Sequence, residues 1–380
     1  MRSATIFALL AGSAWPTAIA QNFSDTLETD ADVQSVFVFS PGRDDAGDIE
    51  AERALYELGA SLSVDGVLDN GAEVGLRIVG RVQRDHPARS GFSGNLGITT
   101  ADVARGAFSG LTASVSQEDA SVRAQLEAAY IYIDGGYGEL LAGRDLGVSA
   151  RFFEGAPNVF SHARVDTPYL DSTGIVTSRT LNDLTGPSFK VSYAAPRLLG
   201  VRLGVSVTPE VEARGLDRDP ERNVGGVESI DLGPAWEAAI SVSRPLPGRG
   251  PRLRAYGAVS GGQVENRRDV TTWSLGGNLE WTRFSLGGSW LTSNNGGGGR
   301  YTAWTGGVGY EVLGLDWSAT YSESRDDLAG LRGDGWSFGA RRKFADFFEI
   351  AAGLQEQGLR RANDRRTSSL GPVIEISLGF

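Results

Sequence analysis

Residues 55–67 read Leu55-Tyr56-Glu57-Leu58-Gly59-Ala60-Ser61-Leu62-Ser63-Val64-Asp65-Gly66-Val67. Tyr56, Leu58, Ala60, Leu62 and Val64 fall on one side of an extended chain, and Glu57, Gly59, Ser61, Ser63 and Asp65 on the other. This strict alternation is the period of a β-strand with one apolar and one polar face. Asp69-Asn70-Gly71 follows, and Asn-Gly tolerates the positive φ of a tight hairpin turn. Val74, Leu76, Ile78 and Val82 then share a face, with Glu73, Arg77, Arg81 and Gln83 opposite. The pair is a hairpin with an apolar side and a charged side.

The same pattern recurs on both sides of this hairpin. Upstream, Val33 to Ser40 is a short β-rich run. Downstream, His86 to Gly110 reads as a long polar, Gly-rich loop. Alternation returns at Val122, Ala124, Leu126, Ala128, Tyr130 and Tyr132, and ends at the turn Asp134-Gly135-Gly136-Tyr137-Gly138. Glu139 to Leu146 is the next strand. Phe152 to Thr185 then breaks the pattern, with no sustained period of two and no helical period. From Phe189 to Phe380 the alternation is regular again, as in Trp236, Ala238, Ile240, Val242 and in Ile374, Ile376, Leu378, Phe380.

The count is sixteen strands, joined by alternating short and long connections. Short turns fall near Asn70, Gly136, Arg197, Pro247, Thr282, Gly314 and Ala345, and longer polar connections lie between. An even number of alternating strands with this asymmetry predicts an all-β chain, a 16-stranded antiparallel transmembrane β-barrel. The polar faces carry Glu, Asp, Arg, Gln and Ser, too polar for the interior of a sandwich but suited to a water-filled bore. Tyr130, Tyr132, Trp281, Phe284, Tyr310, Tyr321, Phe347 and Phe348 sit near strand ends, where aromatic girdles mark the edges of a lipid band. The residues from 152 to 185, between the fifth and sixth strands, are expected to fold inward as the third long loop.

Composition agrees with export to a membrane. The chain has 380 residues, no Cys, two His, 52 Gly and a net charge of −11. An acidic balance excludes general nucleic-acid binding, which needs a basic surface. Without Cys there is no disulfide framework and no thiolate metal site. Arg2, the apolar run Ile6 to Ala11 and Ala18-Ile19-Ala20 form a secretory signal, with cleavage expected after Ala20 and the barrel spanning 21–380. That apolar run is too short to span a bilayer as a helix.

The stretch Ala129-Tyr130-Ile131-Tyr132-Ile133-Asp134-Gly135-Gly136-Tyr137-Gly138-Glu139-Leu140-Leu141-Ala142-Gly143-Arg144 resembles a strand, Gly-aromatic-Gly turn, strand and Gly-Arg pattern of Gram-negative general-diffusion porins, particularly the alphaproteobacterial type. The terminal Ser377-Leu378-Gly379-Phe380 is similar to their C-terminal assembly signal. Phe153-Glu154-Gly155 stands nearest to the Pro-Glu-Phe-type motif of their constriction loop. The resemblance implies an outer-membrane homotrimer of barrels in contact with lipid and lipopolysaccharide. Each barrel would pass small hydrophilic solutes and ions, and 152–185 would narrow the lumen.

In such a pore, acids facing guanidinium groups create a transverse field that sets ion preference. The acidic candidates are Glu154, Asp166, Asp171 and Asp183; the alternative is that these acids only pair with Arg164 and Arg179 or tie the loop to the wall. The basic candidates are Arg77 and Arg81 by strand parity, with Arg123 weaker. Arg144 enters through the resemblance, although its parity matches Leu140 and Ala142. No cofactor and no metal are expected, since His86 and His162 lack ligand-spaced partners. Excess loop acid predicts a mild cation preference. The competing readings are a substrate-specific porin, a barrel enzyme using His86 or His162, and an adhesin with a plugged lumen.

Overall fold

The computed structural model describes residues 27–41, 44–46, 53–87, 89, 105–111, 122–212, 214–216, 230–246, 250–361 and 366–380, with backbone alone for 44–46. The expected signal at residues 1–20 lies outside these. Strands β1 (Glu28–Phe39), β2 (Asp44–Ala46), β3 (Ala54–Val67), β4 (Glu73–Arg84), β5 (Arg123–Gly135) and β6 (Gly138–Asp145) precede one turn of helix, α1 (Val148–Arg151). After it come β7 (Ser188–Ala194), β8 (Val201–Thr208), β9 (Leu232–Pro245), β10 (Arg252–Val264), β11 (Val270–Trp281) and β12 (Phe284–Ser293). The last five are β13 (Tyr301–Val312), β14 (Leu315–Asp326), β15 (Leu331–Ala345), β16 (Phe348–Arg360) and β17 (Arg366–Gly379).

All neighbours pair antiparallel, and β1 lies between β17 and β3, so the sheet closes on itself. β2 has three residues and, among the described residues, pairs with Ser368–Leu370 of β17, which leaves sixteen longer strands as staves. The seam ends at the last residue, where Val33 and Phe380 exchange backbone hydrogen bonds of 2.8 and 2.9 Å. Closure matters because lipid offers no partner to an unpaired strand edge. A barrel of this many strands is wide enough to hold an aqueous channel. Among the described residues no helix is long and apolar enough to cross a membrane.

The alternation resolves into two faces. Leu58, Leu76, Ile131, Leu203, Trp236, Leu275, Leu286 and Phe338 are exposed on the outside. Glu57, Glu237, Ser318 and Glu375, at the opposite parity, are buried. Trp281, Phe284, Tyr310, Tyr321 and Phe347 also stand exposed on the outer surface, as an aromatic girdle requires.

Two of the expected girdle residues do not belong there. Val79 pairs with Ala128 but Gly80 pairs with Leu126, so Glu127 has no partner across the ladder. This two-against-one arrangement is a β-bulge. It reverses the parity of β5 at Glu127, so Leu126 and Ile131 both face outward while Tyr130 and Tyr132 turn inward. The Tyr132 hydroxyl accordingly lies 2.6 Å from Asp65 Oδ1 and 2.6 Å from Glu73 Oε1, both on the polar face.

The interior is packed. One cluster joins Val38, Leu55, Ala351 and Val373 of the wall to Val159, Phe160, Ala163 and Leu170. A second joins Ala194, Ala239, Tyr256 and Ala258 to Val148 and Phe152. A third contains Ala107, Phe108 and Leu111 beside Val270, Leu291, Tyr301, Leu331 and Leu359. The described part of the expected polar loop His86–Gly110 therefore ends inside the barrel, because Phe108 and Leu111 have an apolar seat there.

Candidate functional site

The segment from 148 to 185 touches the polar faces of β3, β8, β9, β10, β12, β14, β16 and β17. A segment that meets the polar face all round a closed sheet lies within it. Wall carboxylates do much of the holding. Glu237 on β9 accepts the Ser149 N–H at 2.9 Å and the Thr185 hydroxyl at 2.5 Å. One side chain thus clasps both ends of the segment. Gly147 leaves room for this carboxylate, since a Cβ there would meet Glu237 Oε2 at 2.0 Å and push the side chain out of its clasp.

From Glu154 to Pro157 the chain runs flat against the wall of β11 to β14. That wall carries Gly276, Gly287, Ser318 and Thr320 inward. A Cβ on Gly276 would stand 2.1 Å from the Glu154 carbonyl oxygen. Val159 N–H donates to Ser318 Oγ at 2.9 Å, and Thr320 Oγ1 donates to the Pro157 carbonyl at 2.8 Å. The turn that follows is gripped by Glu375, which accepts N–H groups from Ser161, His162 and Ala163 at 2.8, 3.0 and 2.9 Å. The Ser161 hydroxyl donates to the same carboxylate at 2.6 Å.

Three of the four acidic candidates bind the segment to itself. Asp166 is fully buried, pairs with Arg164 at 3.0 Å and accepts the Thr180 hydroxyl at 3.1 Å. Asp171 accepts the Thr173 N–H and hydroxyl at 2.9 and 2.7 Å and the Val176 N–H at 2.9 Å. Asp183 pairs with Arg179 at 2.5 Å. Glu154 differs: it is half-buried and faces Arg254 and Glu280 on the wall. Burial pushes its carboxyl above the ordinary range; Arg254 opposes that shift and Glu280 adds to it.

Arg77 and Arg81 both face inward, as parity predicts. Arg81 pairs with Glu57 at 2.8 Å and with Glu127, and its guanidinium lies 5.2 Å from the centre of the Tyr169 ring. His162 Nε2 is 3.2 Å from the same Glu57. The bulged residue, a wall arginine and two aromatic loop residues therefore meet in one network. Arg77 is exposed, opposite Tyr130. Arg144 is not part of this group. It shares the outward face with Leu140, donates to the Leu126 carbonyl at 2.6 Å and lies 3.9 Å from Glu212. No bulge intervenes in β6 to turn it inward.

Sequence reasoning passed over Glu57, Glu127, Glu237 and Glu375. Parity was the available signal for Glu237 and Glu375, which alternate with Trp236 and Ala238 and with Ile374 and Ile376. An inward acid without an inward base nearby on its own strand needs donors from elsewhere, and the segment supplies them.

A sixteen-stave barrel with an outward-facing apolar surface and a fastened internal segment agrees with the comparison to known families. The model of the Gram-negative porins matches residues 8–372. The chain is a Gram-negative porin. Among solved structures, the outer membrane channel DcaP of Acinetobacter baumannii is 12% identical, with 93% of this chain and 97% of that one covered and a TM-score of 0.58. OprB of Pseudomonas putida is 10% identical over 96% of each chain, with a TM-score of 0.57. The trimer form of OmpT from Vibrio cholerae is 11% identical, covering 94% of this chain and 100% of that one, at a TM-score of 0.54. At these identities the likeness is one of fold alone. No curated protein matches the sequence. As a porin, the chain is an outer-membrane channel for passive diffusion, and its family consists of channels rather than enzymes.

Proposed function

We propose that this porin passes small hydrophilic solutes and ions through a constriction bounded by residues 152–185 on one side and by Arg77 and Arg81 on the other. The clasp of Glu237 and Glu375 on the segment supports this reading, because a constriction must keep its shape while solutes pass. In this division of labour Glu154, Arg77 and Arg81 meet the solute. Asp166, Asp171 and Asp183 keep the segment folded. The protomers assemble as a homotrimer, for which the trimer form of OmpT is the supporting likeness. The outer apolar face meets lipid and lipopolysaccharide. Residues 1–20 are a signal removed near Ala20, supported by Arg2 and Ala18-Ile19-Ala20.

An enzymatic reading of Ser161, His162 and Glu57 has geometry against it. Ser161 Oγ lies 2.8 Å from His162 Nδ1, but its proton is directed at Glu375 at 2.6 Å. A hydroxyl that donates to a carboxylate is not poised to lose its proton to the imidazole.

Purified protein in a planar bilayer is expected to give stepwise conductance that falls as neutral solutes of graded size fill the pore. Absence of steps would overturn the channel reading. Steps that are insensitive to Arg77→Ala, Arg81→Ala and Glu154→Gln would overturn the assigned constriction.

A further inference from the structure

The inner wall is not equally accessible around its circumference. In the half of the barrel nearest the long connections, the inward residues Thr208, Ser260, Thr272, Tyr301, Leu331 and Ser369 are all buried. They come from strands spread around most of the sheet. The inward residues of β5 differ: Arg123, Gln125 and Glu127 keep partial exposure, as does Arg81 beside them on β4. Further toward the short turns, Arg77 is exposed and Tyr130 partly so.

Among the described residues, what covers the remaining wall is the segment 148–185, helped by Arg214, whose carbonyl accepts the Gln125 amide at 2.7 Å, together with residues 105–111. The latter are fixed at many points. Asn295 Oδ1 accepts the N–H groups of Phe108 and Ser109 at 3.3 and 3.0 Å. Asp326 accepts the Ser109 hydroxyl at 2.6 Å and the Asn295 amide at 2.9 Å. Arg267 donates to the Arg105 carbonyl at 2.7 Å. Phe108 is fully buried, its ring 5.7 Å from that of Tyr301. Apolar packing and satisfied buried polar groups on one short segment make a permanent filling.

We infer that the conducting path is eccentric, running down the inner face of β5 past Arg81 and Arg77 of β4, and that residues 105–111 hold it there by filling the rest of the mouth. The inference rests on the channel reading above and assigns the size limit to a second element besides 152–185. A solute entering by this route passes Arg123, then Gln125 beside Arg81, then Glu127, then Arg77 and Tyr130. The bulge at Glu127 is part of the device, since it brings the charged residues of β5 to the inside above Tyr130.

The chain contains no Cys, so one introduced thiol reports alone. In outer membranes, a small hydrophilic methanethiosulfonate is expected to modify Gln125→Cys and Arg77→Cys quickly. Thr272→Cys and Ser369→Cys should stay unmodified over the same interval. Replacing 105–111 with a Gly-Ser linker of equal length should raise single-channel conductance and bring Thr272→Cys to the rate of Gln125→Cys. Phe108→Ala, which loosens the seat without removing the segment, should move both readouts in the same direction. Heat-modifiable gel migration identifies variants that still form the barrel. Equal labelling at all four positions in the intact protein would overturn the eccentric path. Unchanged conductance and labelling after the replacement would overturn the role of 105–111. Lack of current in the wild type would instead count against the channel reading, while the labelling contrast would still locate the water.

Discussion

The carboxylate of Glu375 on β17 accepts the backbone N–H of His162 at 3.0 Å, from a residue 213 positions away in sequence. Ser161 and Ala163 donate to the same group. A buried carboxylate is costly unless several donors satisfy it, and three consecutive amides do so here. The segment inside this porin is therefore held from the wall, by acids that point inward because their apolar strand neighbours point outward.

Glu375→Gln removes one acceptor oxygen and sets an amide donor against backbone donors. The expected cost is about 2 kcal/mol, borne by the segment and not by the strands. Trypsin should then cleave at Arg164 faster than in the wild type, and the open-channel current should become noisier in a barrel that still folds. Wild-type proteolysis and noise would show that the clasp contributes nothing.

Glu154 gives a pH dependence. Its carboxyl is raised mainly by burial, so it takes up a proton at a higher pH than an ordinary glutamate. The neutral form is the one the fold favours. Any stability gained from it is present below the ordinary carboxylate range and is lost as pH rises through the raised value. Selectivity is expected to move the opposite way: the negative charge at the proposed constriction, and with it the expected cation preference, is present above that value and falls away on acidification. Reversal potentials measured across that range should shift toward anions at low pH, and Glu154→Gln should abolish this part of the shift.

Gly276→Val places carbon where the Glu154 carbonyl oxygen lies, at a Cβ distance of 2.1 Å. Overpacking of this kind costs about 1–3 kcal/mol. The segment must lift off the wall into the bore, so lower conductance and a lower thermal unfolding temperature are expected together. A control at Gly59, where a Cβ would meet nothing closer than 3.9 Å, should change neither as Gly59→Ala.

Arg77 and Arg81 should differ in their response. Arg77 is exposed opposite Tyr130, so Arg77→Glu is expected to move the reversal potential toward cations with little loss of stability. Arg81→Gln leaves Glu57 and Glu127 without their shared guanidinium and should lower stability as well as shift selectivity. Identical stability of the two variants in thermal melts would remove the distinction.

The reach of the sequence differs from residue to residue. Arg77 and Arg81 were legible because parity holds without interruption from Glu73 to Gln83. Tyr130 and Tyr132 were misread because the bulge at Glu127 leaves no mark on the hydrophobic pattern until the partner strand is known. Arg144 followed its own parity. Asp166, Asp171 and Asp183 stand two to four residues from Arg164, Thr173 and Arg179, so these pairings are open to the sequence, but the choice between pairing and facing the bore is made by the folded loop, which also brings Thr180 to Asp166. Phe108 lay in a stretch that reads as polar loop, since two or three apolar residues carry no period.

The sequence by itself determined the staves, their number, their two faces and the place of the long internal segment. Side chains of an extended chain alternate by local stereochemistry alone, so the pattern is written in neighbouring residues. Only the tertiary structure decided the bulge that turns β5, the acids that clasp the segment and the filling of the mouth by residues 105–111. Each of these joins residues distant in the chain, and such contacts are set by packing and by the need to satisfy buried polar groups, which no local period records.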